Sequence, residues 1–206
     1  PACPMSGEQA AMIDRYDPAP THGTNVTPHQ AQGRVAGVPI TYNQDDTFSF
    51  SVGLAVGGSF SGDVSEAGPP SGYQIGFSVI TSSVFELGVS LIQQSGSVVV
   101  KDMDAHGELN AFGAVGTATF NLPLPSIFAP GFSTTLGLGN VGYNLDGNTG
   151  DGTVYLLNLT LLLPRLLGDA GGVGLGYTHH DGSVEIHGSS VDVVGDSILL
   201  TIKYSL

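Results

Sequence analysis

The sequence predicts an all-β protein in which a β-sandwich carries one long β-hairpin, and the hairpin crosses a membrane as part of a barrel. Three observations lead there. Thirty-one glycines, twelve prolines and no tryptophan among 206 residues describe a turn-rich chain, and plentiful Ser, Thr and Val favour strands. Apolar residues alternate with small or polar ones over several windows. A charged stretch, Lys101-Asp-Met-Asp-Ala-His-Gly-Glu-Leu-Asn110, interrupts a chain that is only 11% charged. From Gly72 to Val100 the ionisable side chains are Tyr73 and Glu86, and from Ala111 to Val141 there are none. A charged tip between two neutral strands suits a hairpin that crosses a membrane and carries its charges to one end.

The totals narrow the function classes. With 41% hydrophobic residues the chain can bury a core and is not a disordered acidic tail. Eighteen acids against five bases give a net charge of −13, which repels nucleic acid, and no basic stripe overrides that repulsion. One cysteine, Cys3, excludes an intrachain disulfide. No window approaches ~18 consecutive apolar residues, so no transmembrane helix is encoded and any bilayer crossing uses strands. The opening Pro-Ala-Cys-Pro fits a mature chain released from a cleaved signal peptide.

In chain order, residues 1–46 are the least regular, because Pro4, Pro18, Pro20, Pro28 and Pro39 break any long helix. Alternation then begins. Phe48, Phe50, Val52, Leu54 and Val56 share one parity and Ser49, Ser51, Gly53 and Ala55 the other. Gly62-Asp63 and Gly68-Pro-Pro-Ser-Gly72 close that segment as loops. Tyr73, Ile75, Phe77 and Val79 alternate again, followed by Phe85, Leu87, Val89 and Leu91 opposite Glu86, Gly88 and Ser90. Beyond the charged tip, Phe112, Ala114, Ala118, Phe120, Leu122 and Leu124 alternate with Gly113, Thr117, Thr119 and Asn121 until Pro123, Pro125 and Pro130 end the strand. The small and polar face would suit a water-filled lumen and the apolar face lipid or protein. The remainder reads as short strands, at 132–138, 154–163, 173–178, 184–187, 191–194 and 198–204, assembled as a sandwich. Asp181-Gly182 is the strongest type I′ hairpin signal among them.

Few residues invite chemistry. Gly195-Asp-Ser197 resembles a hydrolase block, but it sits in an all-β context with no histidine after it. His179, His180 and His187 surround Asp181-Gly182, yet adjacent strand histidines point to opposite faces, so they read as incidental imidazoles rather than a metal site. Asp45-Asp46 and Asp146-Gly-Asn-Thr-Gly-Asp151 lack the spacing of a calcium loop. Asn25 and Asn158 begin sequons that matter only in a glycosylating host. No catalytic constellation, cofactor loop or metal site is expected. The residues singled out are those of the tip, Asp102, Asp104, His106 and Glu108, at successive i, i+2 spacings.

The chain resembles the MspA family of octameric porins from the outer membrane of mycobacteria and their mycolic-acid-bearing relatives. Gly72-Tyr-Gln-Ile-Gly-Phe77 is similar to the start of that family's descending stem strand. Pro125-Ser-Ile-Phe-Ala-Pro-Gly-Phe132, running on to Leu136-Gly-Leu-Gly-Asn140, is similar to the segment where the stem rejoins the rim. Ala170-Gly-Gly-Val173 with His180-Asp-Gly-Ser-Val184 is similar to the last rim strands, and Val98-Val-Val-Lys-Asp-Met-Asp104 falls where the family has its constriction loop. The resemblance implies a β-sandwich rim domain with a long β-hairpin contributing two strands to an oligomeric transmembrane β-barrel. The divisions are an N-terminal segment with the first rim strands (1–71), a stem hairpin (72–125, tip at 101–110) and a C-terminal rim sandwich (126–206).

On that resemblance one hairpin cannot cross alone, because its edges leave backbone groups unpaired, so a closed homo-oligomer, an octamer, is implied. Rings of Asp102, Asp104 and Glu108, with His106, would form a constriction that attracts cations. The function expected is a water-filled, cation-preferring channel for small hydrophilic solutes in contact with outer-membrane lipid, without cofactor or catalysis. The rival is a secreted β-sandwich subunit of an extracellular filament or coat, with the 72–125 hairpin pairing to a neighbour's sheet.

Overall fold

The computed structural model describes residues 32–35, 38–41, 48–82, 84–101, 103, 105–123, 131–163, 167 and 171–206. A small antiparallel pair, β1 (Gln32–Val35) and β2 (Val38–Thr41), precedes the main sheet. The main sheet holds β3 (Phe48–Gly62), β4 (Val64–Glu66), β5 (Ser71–Ser82), β6 (Phe85–Val100), β7 (Ala105–Pro123), β8 (Gly131–Leu145), β9 (Asn148–Leu162), β10 (Gly172–Ile186) and β11 (Ser189–Ser205). Each strand from β5 to β11 pairs antiparallel with the next. β3 pairs with β5 on one side and with β11 on the other. Among the described residues, therefore, eight strands close into an up-and-down ring, with the short β4 added along the end of β6.

This corrects the expected architecture. There is no β-sandwich rim carrying a hairpin for a pooled barrel, because the chain closes a barrel of its own. The edge argument that required an oligomer is met inside one chain. Residues 71–123 are three staves of that barrel, and the C-terminal third, read as a sandwich, supplies most of the others. At its end the seam is completed by Phe48 N–H donating to the Leu206 carbonyl and Leu206 N–H to the Phe48 carbonyl, at 3.2 and 2.8 Å.

The difference lies in where the strands end. Asp181-Gly182 is not a turn but mid-strand in β10, paired with Val194-Val193 on one side and Thr153-Gly152 on the other. The tight turns are Asp146-Gly147 and His187-Gly188, with φ of 48°, 91°, 51° and 83°. Positive φ at both central positions is the type I′ geometry whose twist matches paired strands. The internal glycines have a packing reason instead. A Cβ at Gly195 would lie 2.1 Å from the His180 ring, and one at Gly182 would lie 2.7 Å from the Tyr143 ring. Glycine there makes room for a large inward side chain, from the adjacent strand at Gly195 and from β8, two strands away, at Gly182, and does not mark a break.

The buried apolar cluster lies at the end of the barrel away from Phe48 and Leu206. It includes Phe60, Val64, Val98, Leu109, Tyr143, Val154, Val184 and Val193. Substitution should separate packing from backbone strain. Gly195→Ala must displace His180 and is expected to lower stability by about 1–3 kcal/mol. Gly188→Ala meets open space and pays only the left-handed backbone penalty, about 1 kcal/mol. Urea unfolding of the detergent-folded variants measures both.

Candidate functional site

Strand parity fixes which side chains face in and which face out, but the chemistry of the two faces exchanges partway up the barrel. On β11 the outward residues of the lower part are Ile198, Leu200, Ile202 and Tyr204, and the inward ones include Ser197, Thr201, Lys203 and Ser205. Toward the upper end the outward residue is Asp192 and the inward ones are Val191 and Val193. β10 repeats the pattern, with Val173, Leu175 and Tyr177 outward below and Asp181 and Glu185 outward above. Around the ring the lower outward face is an apolar belt that also includes Phe50, Leu54, Phe77, Val89, Phe120, Leu136 and Leu159. Five successive outward residues on β3 cover about 26 Å of strand at ~3.3 Å each, or about 20 Å of height at a ~40° tilt, close to the ~25 Å apolar band of a bilayer-spanning barrel. Tyr73, Phe112, Tyr155 and Tyr177 stand at the upper edge of the belt. There Tyr177 and His179 both reach the Asp196 carboxylate, His179 Nδ1 at 2.9 Å.

Above the belt the outer surface is acidic. Asp63, Glu66, Glu108, Asp146, Asp151, Asp181, Glu185 and Asp192 are all at this end, with Lys101 as the one Lys or Arg among the described residues there. Lys101 Nζ donates to the Gly62 carbonyl at 2.6 Å.

Inside the belt the lumen is polar and filled. Glu86, fully buried on β6, forms an ion pair with Lys203 Nζ at 2.6 Å. Its carboxylate also accepts from Ser49 Oγ, Ser78 Oγ and Asn121 Nδ2, each at 2.8 Å. One carboxylate thus ties β3, β5, β7 and β11 to β6. Higher in the lumen, Gln74 Nε2 donates to Ser90 Oγ and Asn158 Nδ2 to Gln74 Oε1. An eight-stranded barrel is just wide enough for its interior side chains to fill it.

The upper interior begins at His180, which bridges the barrel. Gln94 Nε2 donates to the Asp196 carbonyl, so its Oε1 accepts from His180 Nε2–H at 2.8 Å, while Tyr143 O–H donates to Nδ1 at 2.9 Å. Burial pushes the His180 pKa down to about 4, and the neighbouring His179 acts in the same direction. Burial likewise raises the Tyr143 phenol, with Asp181 adding to the shift.

The residues singled out at the tip fall as follows. Asp102 and Asp104 lie outside the described residues. His106 and Glu108 are on the exposed outward face of β7, where Glu108 Oε1 accepts from Ser97 Oγ at 2.7 Å and its N–H donates to Asp146 Oδ1 at 3.1 Å. His179 points out, His180 in, and His187 occupies a turn. The Gly195-Asp-Ser197 block is split, with Asp196 outward and Ser197 buried inward. Asn158 is inside the lumen, whereas Asn25 and Asp45-Asp46 lie outside the described residues. The Glu86–Lys203 pair was missed. Its signal was present, since Glu86 is the one charge on β6 and Lys203 the one charge on the inward parity of β11, whose two acids face outward.

No family model matches the chain, and neither does any curated protein. Among solved structures it is similar to neisserial surface protein A, with a TM-score of 0.50 at 9% identity over 77% of this chain and 97% of that one. It also aligns with Ail of Yersinia pestis (0.46, 11% identity, 77% and 99% covered) and OprG of Pseudomonas aeruginosa (0.46, 10% identity, 78% and 98% covered). At these identities the first likeness shows the fold alone. The ring closed within one chain and the fold likeness to neisserial surface protein A, a small outer-membrane β-barrel and not an MspA-type porin, overturn the resemblance to that family, and with it the support for an octamer or a mycobacterial source.

Two outcomes follow. Lys203→Met strands the buried Glu86 charge and should cost about 3–5 kcal/mol, most of it recovered in Glu86→Gln/Lys203→Met, read by urea unfolding at neutral pH. Unfolded His180 takes a proton near 6.5, whereas folded His180 stays neutral down to about 4. The unfolded state therefore binds more protons between those values, and stability falls as pH drops through that window, by about 3 kcal/mol in all. A His180→Gln variant should lose this dependence while the rest of the acid profile remains.

Proposed function

We propose that the chain is an outer-membrane β-barrel that crosses the bilayer as a single closed ring, is shut to solutes at rest, and displays an acidic end to the aqueous phase. The observation that carries this reading is the exchange of faces along each strand. An outward apolar belt with a polar interior is stable only in lipid, and an outward acidic surface with an apolar interior is stable only in water. One chain that has both, stacked along one axis, fits a barrel standing through and out of a membrane. The fold likeness to neisserial surface protein A supports the same placement.

A cation-preferring channel for small hydrophilic solutes is the second reading, favoured by the polar lumen at belt level and by the crowding of acids at one mouth. Such a path needs the Glu86–Lys203 pair to part and the apolar upper interior to shift. Asp102, Asp104, Glu108 and His106 would then act at the mouth, drawing cations toward it by their summed potential.

Refolding into liposomes and planar bilayers tests both. The barrel reading expects an unheated gel band that migrates ahead of the boiled one, and protease protection of the belt. Loss of both would remove it. Absence of current steps supports the shut barrel. Discrete steps whose cation preference falls in Asp102→Asn/Asp104→Asn/Glu108→Gln support the channel.

A further inference from the structure

We propose that the belt-level lumen is built around an internal water site, in which about one or two water molecules bridge the Gln74–Asn158 layer to the Glu86–Lys203 network and make one polar column of the two. The proposal deepens the shut-barrel reading above and rests on it.

A cavity of about 20 Å³ lies in this part of the lumen, enough for one water and at most about two. Its wall takes Ser90 and Asn158 from the upper layer and Ser49, Ser78 and Lys203 from the lower network, together with Thr201. No side-chain hydrogen bond joins the layer to the network among the described residues, so the cavity stands where that link is missing. Asn158 and Thr201 are 4% and 2% exposed, and Asn158 Oδ1 and Thr201 Oγ1 have no hydrogen-bond partner among the described residues. Buried polar atoms without a protein partner call for ordered water.

The neighbouring bonds do not remove the demand. Asn158 Nδ2 donates to Gln74 Oε1, and Gln74 Nε2 donates to Ser90 Oγ. Turning both amides end for end would put Asn158 Nδ2 where Oδ1 stands, so the unmet atom is polar in either arrangement. The strand between the two residues makes the room. β10 pairs Gly176 with Asn158 on β9 and Gly174 with Thr201 on β11, and neither glycine places a side chain between them. A Cβ at Gly176 would meet the Asn158 amide oxygen itself.

The lining also selects the guest. Water can donate to Asn158 Oδ1 and either donate to or accept from Thr201 Oγ1, with the hydroxyls of Ser51, Ser90 and Thr117 in the same wall for its other bonds. A sodium ion would find only neutral oxygens there, with the Lys203 ammonium in the same wall. An anion would meet an ammonium whose charge Glu86 already neutralises.

Oxygen-17 relaxation dispersion of the full chain folded in detergent micelles counts slowly exchanging water and is blind to hydroxyl proton exchange. The parent is expected to hold about one or two such waters that Gln74→Leu/Asn158→Leu/Thr201→Val lacks, a variant that leaves no buried amide unpaired. Thr201→Val alone keeps the side-chain volume, removes one ligand and should lose part of the signal. Thr201→Ser keeps the hydroxyl and should retain it, and loss there would overturn Thr201 Oγ1 as a ligand. Equal signals in the parent and in the folded variants that lose ligands would overturn the water site, as would a parent with no slowly exchanging water. Every sample is run unheated beside a boiled one. A parent without the fast-migrating band reports failure of the barrel reading, whereas a parent with the band and without the water reports failure of the site alone.

Discussion

A strand edge inside a bilayer leaves backbone donors and acceptors with neither water nor partner, at a cost of several kcal/mol per group. The pairing of β3 with β11 removes the last open edge of the eight-stranded ring, and the other features depend on it. Because the ring closes within one chain, its bore is set at eight strands and side chains fill it. Because the bore is filled, inward residues must satisfy one another, so Glu86 gathers donors from four other strands. The pair also reinforces the closure from inside, since Lys203 on the last strand and Ser49 on the first meet the same carboxylate.

The alternation visible at 48–56, 73–79, 85–91 and 112–122 is the real outward and inward parity of those staves. It was legible because outward apolar and inward small residues follow the pleat without interruption. The number of strands was not legible. In β10 and β11 the outward face changes from Tyr177 to Asp181 and from Ile198 to Asp192, so apolar alternation stops while the strand continues. Gly182 and Gly195 sit beside Tyr143 and His180, and together with the acids they imitate turns. A period-two pattern that keeps its phase but reverses its polarity looks like two short strands when only the apolar half is scored.

The acidic tip was read correctly as a concentration of charge and incompletely as a location. Its neutral flanks led to a pore constriction, whereas His106 and Glu108 stand on the outside of β7, among acids contributed by five other segments that sequence distance had separated. Glu86 and Lys203 are 117 positions apart, and nothing local pairs them. Only ring closure brings β6 and β11 across the same lumen.

The exchange of faces also has a bearing on how the barrel acquires its register. Sliding β11 by one residue against its neighbours would turn Asp192 inward and Val191 outward at the top, and in the same step turn Lys203 toward lipid and Ile202 into a hydrogen-bonded lumen. In a protein solvated on one side only, a slipped hairpin is penalised along one half of its length. On the proposed membrane placement both halves oppose it, each through a different solvent, so the bilayer and the water outside it would jointly proofread strand alignment.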